Sequence, residues 1–186
     1  AEGAGDLFWP RERSEQVGDF RHFRVRRDWN RSPQDGEVRD FYILEMPDWV
    51  QVIALTTDES FVMVEQFRPG NRAVTIEFVA GLVDPGESPV EAAVRELEEE
   101  TGHCGGEAEA IGWLFPNAAL QNNRLHIVVV RDCRPTGDRD EDPGEFIRPT
   151  TRSPGEIDAL IADGSFKDAY GIVAWDFYRR WRETSP

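Results

Sequence analysis

Glu96, Glu99 and Glu100 stand at i, i+3 and i+4 in "RELEEETG", residues 95–102. On a helix that spacing puts all three carboxylates on one face. Three like charges on adjacent turns repel one another by some tenths of a kcal/mol per pair. A hard divalent cation, which takes oxygen ligands, would turn the same repulsion into a binding site. The competing reading is a solvated acidic face, since the stretch from Gly81 to Gly102 holds six glutamates and one aspartate in all.

The elements that must position these residues are legible around them. Ser88-Pro89-Val90-Glu91 is a helix start: a capping hydroxyl, a proline suited to the first helical position and a glutamate that closes a capping box. Gly102 offers a left-handed stop. Val90, Ala93, Val94 and Leu97 form an apolar stripe at helical spacing. The three carboxylates lie about a third of a turn from it, at the edge of the core. Glu91 and Glu98 point to the opposite flank, and Arg95 falls between the groups.

Strand patterns surround this helix. "FRHFRVRRDW" and "EVRDFYILEM" flank the turn-rich "NRSPQDG", and "WVQVIALT" and "SFVMVEQF" flank "TDE". "VTIEFV" leads into Gly81, and "AIGWLF", "RLHIVVVRD" and "FIRPTT" follow the acidic segment. Two closing helices are expected in "SPGEIDALIADG" and "FKDAYGIVAWDFYRRWRE", the first with its own capping box at Ser153 and Glu156. The expected class is α/β or α+β, a layered domain over residues 48–186 with a small antiparallel β segment over residues 1–47.

Composition narrows the partners. The 186 residues carry a net charge of −15, which repels a nucleic-acid backbone. Runs such as "WVQVIAL" and "LHIVVV" are too short to cross a bilayer. "AEGAGDLFWPRERSEQ" lacks a secretory pattern, so an intracellular, cytoplasmic protein is expected. Cys104 and Cys133 make no disulfide framework and lack metal-ligand spacing. Lys167 is the only lysine.

The segment resembles the Nudix box: Gly81, five residues, Glu87, seven residues, then Arg95 to Gly102 without a break. His103 departs from the aliphatic residue usual at the last position. "VEQFRPG" and "IEFVAG" upstream resemble the ADP-ribose and nucleoside-diphosphate-sugar pyrophosphatase branch. The resemblance implies a Nudix-type α/β/α sandwich with a mixed sheet. It also implies a hydrolase that uses Mg2+ or Mn2+ to split ADP-ribose, or a related nucleoside diphosphate sugar, into a nucleoside monophosphate and a sugar phosphate. GDP-mannose, an NADH-like dinucleotide or a non-catalytic nucleotide sensor are the alternatives it leaves open.

By the same resemblance Glu96, Glu99, Glu100 and the Ala80 carbonyl would hold the metal. Glu99, Glu100 and Arg95 would serve catalysis, Arg95 by orienting carboxylates, with Glu87 as its salt-bridge partner. The general base is expected in "GDRDEDPGEFI", at Glu145 first and Asp142 second, with Asp140 and Glu141 also present. Arg68 and Glu77 would face substrate. Where ADP-ribose hydrolases carry a glycine- and acid-containing turn, this chain has "NAALQNNRLH", whose Asn123 and Arg124, with Asn117, Gln121 and Asn122, offer donors to a substrate. Trp113, Phe115 and the region of Trp29 are candidates to stack a base, and His126 reads as a packing residue. The branch implies a homodimer joined through the amino-terminal strands.

Overall fold

The computed structural model describes residues 6–137 and 146–184. The chain divides into two compact units, Ala1–Pro47 with Phe115–Arg124, and Asp48–Leu114 with Leu125–Pro186.

The first unit is an antiparallel sheet of three strands, β1 (Arg11–Asp19), β2 (Arg24–Arg31) and β3 (Val38–Glu45), with β2 in the middle. The sequence pattern shows β2 and β3 but not β1, whose "RERSEQVGD" has no apolar alternation. Its pairing is polar: Ser14 sits opposite Asp28, and the buried Asp28 carboxylate accepts from Ser14 Oγ at 2.6 Å, Arg26 Nε at 2.9 Å and Arg11 Nη1 at 3.3 Å. Those bonds hold the Asp28 carboxyl below its ordinary range although burial opposes them. On the other face the Trp29 ring lies between two guanidinium groups, Arg13 at 4.1 Å and Arg27 at 4.6 Å. Residues 115–124 join this unit through Leu44 N–H to the Leu120 carbonyl, 2.8 Å, and Asn122 N–H to the Leu44 carbonyl, 3.3 Å.

The second unit is built on a mixed sheet. Its strands are β4 (Trp49–Thr56), β5 (Phe61–Arg68), β6 (Ala73–Leu82), β7 (His103–Cys104), β8 (Glu107–Leu114), β9 (Leu125–Pro135) and β10 (Ile147–Arg152). The order is β10-β5-β6-β4-β9-β7, with β8 also on β9. β4 and β9 run parallel and the other pairs antiparallel. β5 pairs with β6 over Met63–Arg68 and with β4 at Phe61 and Val62, so the sheet curls at this end. The β4–β5 hairpin read from the sequence is thus real but short, and β6 takes most of the edge.

Both faces are covered, which is why the strands read as near-continuous apolar runs. Helix α1 (Pro89–Thr101) lays Ala92, Ala93 and Leu97 on Val50, Val52, Val64, Val79 and Val128. Helices α2 (Pro154–Ala162) and α3 (Ala169–Thr184) cover the other face, where Ile157, Phe166, Trp175 and Tyr178 pack on Ile53, Phe61, Met63 and Phe78. The unit is an α/β/α sandwich. Among the described residues no helix is long and apolar enough to cross a membrane, which says nothing of strands.

Candidate active site

Helix α1 starts and stops where its sequence directs. The Ser88 side chain accepts from Glu91 N–H, the Glu91 carboxylate accepts from Ser88 N–H at 2.8 Å, and Gly102 takes the left-handed conformation at φ 64°. Gly102 N–H closes the helix on the Glu98 carbonyl at 2.8 Å. Thr136, at the end of β9, donates its N–H and hydroxyl to the Gly102 carbonyl at 2.7 and 3.0 Å, tying the helix end to the sheet.

Arg95 organises the acidic face. Its Nε and Nη2 meet the two oxygens of Glu87, both at 3.0 Å, and Nη2 also donates to the Leu82 carbonyl at 2.9 Å. Nη1 holds Glu96 Oε1 and Glu99 Oε2, each at 2.9 Å. One guanidinium thereby spans the loop before the helix and two of its carboxylates, and these bonds push its own pKa far up. The Glu87 carboxyl is held below its usual 4.5 by Arg95, with a smaller contribution from the Asp84 N–H. Glu96 is seated against Gly81: a Cβ on that glycine would lie 1.9 Å from Glu96 Cδ and 2.0 Å from Oε1. The Ala80 carbonyl is one peptide away. Glu100 is buried, 7% exposed.

A second polar cluster lies on β5 and β6. Arg68 Nε bonds both oxygens of Glu77, at 3.0 and 3.1 Å, and Nη2 adds a third contact at 2.6 Å. Thr75 Oγ1 donates to Glu77 Oε1 at 2.5 Å, and the Glu77 side chain is 8% exposed. Arg68 uses the Nε–Nη2 edge for Glu77, so its other edge, at Nη1, faces away from that partner. Glu77, Glu100 and Asp168 all raise the Arg68 pKa.

A model of the NUDIX domain family matches residues 46–169. The chain belongs to this family. Several relatives share sequence with it. A mouse "ADP-sugar pyrophosphatase" is 44% identical over 72 residues, 39% of this chain and 33% of that protein. The Escherichia coli "ADP compounds hydrolase NudE" is 28% identical over 131 residues, 70% of this chain and 69% of the relative. A Bacillus subtilis "ADP-ribose pyrophosphatase" is 29% identical over 114 residues, 61% of this chain and 62% of the relative. The chain therefore spans from a third to just over two thirds of these proteins. Among solved structures, a crystal structure titled as an ADP compounds hydrolase superposes with TM-score 0.82 at 24% identity, over 94% of each chain. That likeness carries the NUDIX fold.

The residues that fit a metal are a matter of donor chemistry. Glu96, Glu99, Glu100 and the Ala80 carbonyl are all hard oxygen donors, on one helix face and the adjoining strand end, the kind of set that suits Mg2+ or Mn2+. Among the described residues no three Asp, Glu, His or Cys side chains stand at chelating distance from one another. Glu96 and Glu99 are gathered instead by a guanidinium, which holds two of the carboxylates on a cationic centre.

The other expected site residues fall as follows. Asn123 and Arg124 belong to the first unit, Asn123 buried and Arg124 exposed. Trp113 and Phe115 are about half exposed, and Trp29 is the ring held between Arg13 and Arg27. Glu145 and Asp142, with Asp140 and Glu141, lie outside the described residues. His126 does more than pack: its Nε2 lies 2.9 Å from Asp48 Oδ2. Asp168 is a further charged neighbour of Arg68 and Glu77. The sequence pattern put Asp168 inside the expected closing helix, whereas the helix starts at Ala169 and Asp168 caps it, accepting from Tyr170 and Gly171 N–H.

Proposed function

We propose that the chain is a metal-dependent pyrophosphohydrolase that cleaves the diphosphate of ADP-ribose, or of a related nucleoside diphosphate sugar, into a nucleoside monophosphate and a sugar phosphate. The observation that carries the reading is the Arg95 hub, which ties Glu87, Glu96 and Glu99 into one array while Gly81 lets Glu96 down onto the strand. The names of the relatives, all acting on ADP compounds, support the substrate class.

In this reading Glu96, Glu99, Glu100 and the Ala80 carbonyl hold Mg2+ or Mn2+, which when bound neutralises the diphosphate and lowers the pKa of water. Arg95 keeps the carboxylates oriented. Arg68, braced by Glu77, offers its outer edge to a phosphate. Glu145, or Asp142 after it, takes the proton from the attacking water. The same reading places the protein in the cytoplasm, in keeping with the free thiols of Cys104 and Cys133. It also gives the β1–β3 sheet, small for an independent sheet, to the contact of a homodimer.

The test is a panel of ADP-ribose, other nucleoside diphosphate sugars and dinucleotides, incubated with Mg2+, with Mn2+ and with chelator. Release of paired monophosphates only with a divalent ion is expected. Absence of turnover across the panel overturns the reading.

A further inference from the structure

Strand β6 changes neighbours in mid-course. Its pairing with β5 runs from Ala73 opposite Arg68 to Phe78 opposite Met63. Its pairing with β4 takes over at Val79, opposite Val52, and runs to Leu82, opposite Trp49. β4 leaves β6 at the same point, and its Ala54 and Leu55 pair with Val62 and Phe61 of β5. The Phe78 carbonyl stands at this changeover and accepts from a side chain, Gln51 Nε2, at 3.2 Å. Gln51 is 2% exposed. It alternates along β4 with Val50 and Val52, which pack under α1, and stands opposite Ile127 of β9. Its amide is therefore buried on the other face of the sheet, the one that holds Ile53, Ile127 and Phe78 under α2 and α3.

Burying an amide on an apolar face costs free energy unless it is hydrogen-bonded, and a leucine or methionine would fill the same place without that cost. The bond to Phe78 gives the amide its task. Gln51 stands opposite Ala80 in the β4–β6 ladder, while its side chain reaches two residues back along β6 to Phe78. One residue thus grips both ends of the segment Phe78–Ala80. Glu77 and Gly81, on either side of that segment, alternate with Val79 and face α1. Glu77 holds Arg68, and Gly81 seats Glu96 so closely that a Cβ there would lie 2.0 Å from Glu96 Oε1. A shift of β6 at Phe78 would move the Ala80 carbonyl, the seat of Glu96 and the brace of Arg68 together.

We propose that Gln51 is a positioning residue for the divalent-cation site, fixing the main chain of β6 at its changeover so that the Ala80 carbonyl keeps its place beside the carboxylates of α1. This rests on the reading of Ala80, Glu96, Glu99 and Glu100 as the metal's oxygen donors. The amide lies on the far face of the sheet from α1 and acts through the strand.

The test measures Mn2+ binding, by calorimetry without nucleotide, to the full chain as wild type, Gln51→Met and Gln51→Glu. Methionine keeps the length and lacks the donor. A glutamic acid, which burial favours in its neutral form, keeps an O–H to donate. Gln51→Met should bind Mn2+ about tenfold more weakly, the low end for losing a hydrogen bond behind a metal ligand. Gln51→Glu should stay within about threefold of wild type at about pH 6, where the neutral carboxyl restores the donor. Equal affinity in Gln51→Met and wild type overturns the proposal. So does a Gln51→Glu as weak as Gln51→Met at that pH, which would make the loss one of packing. If Gln51→Met does not fold, Gln51→Glu decides alone. Its affinity relative to wild type should then fall as pH rises and ionisation removes the donor; a ratio that stays flat from about pH 6 to about pH 8.5 overturns the proposal. Turnover on the substrate panel is read separately: the expected Mn2+ affinities without turnover in any protein sink the hydrolase reading alone, and turnover in wild type with equal Mn2+ affinities sinks only this inference.

Discussion

Arg95 meets three carboxylates and a carbonyl from one planar fork, a task a lysine ammonium on a flexible stem cannot perform. Arg95→Lys should therefore lower stability by about 2 kcal/mol, the range for charged hydrogen bonds, in urea melts. It should also lower kcat, because Glu96 and Glu99 lose their common anchor. The Glu87 end of the network is pH-sensitive. Its folded pKa lies below its unfolded value of 4.5, so its contribution is present above pH 4.5 and is lost as pH falls through the folded pKa. Melting temperature should drop on acidification below that value in wild type, and drop less in Glu87→Gln. The acidic helix residues were readable from the sequence because their relations are local, set by a period of 3.6 residues. The charges around Arg68 were only partly so. Arg68 and Glu77 meet diagonally across β5 and β6, where Arg68 is paired with Ala73 and Glu77 with Val64, and no local spacing records that meeting.

Elements place these residues, and their sequence signals differ in strength. Helix α1 carries both of its own punctuation marks, a Ser88–Glu91 capping box and a left-handed Gly102, so its ends were legible to the residue. Ser88→Ala should cost about 1 kcal/mol in a melt. Strand β6 contributes less visibly: Gly81 matters because no side chain fits between its Cα and the Glu96 carboxylate. Gly81→Ala should leave the fold intact by circular dichroism yet cut kcat about a hundredfold, the effect of moving a positioned group by an ångström. Strand β1 escaped the sequence reading because it is held by a buried aspartate and its arginines and not by an apolar face. β7, two residues long, is set by its pairing with β9 and leaves no pattern of its own.

For the molecule, the net charge of −15 sets the terms on which the proposed nucleoside diphosphate substrate would arrive. Like charges slow encounter at low salt, so kcat/KM on a nucleoside diphosphate sugar should rise between low and physiological ionic strength at saturating Mg2+. Light scattering on the full chain should give twice the monomer mass if the β1–β3 sheet joins two copies. The mixed sheet with helices on both faces was readable as a class, from strands alternating with three helices. The strand order and the assignment of residues 115–124 to the first unit were not, because both depend on contacts between distant segments. The most direct measurement compares hydrolysis of ADP-ribose by wild type and Glu100→Gln in Mg2+, beside nucleotide binding by both. Turnover in wild type, falling by about a hundredfold or more in the variant while nucleotide still binds, is what this account predicts. Equal turnover in the two proteins, or undiminished turnover in chelator, would contradict it.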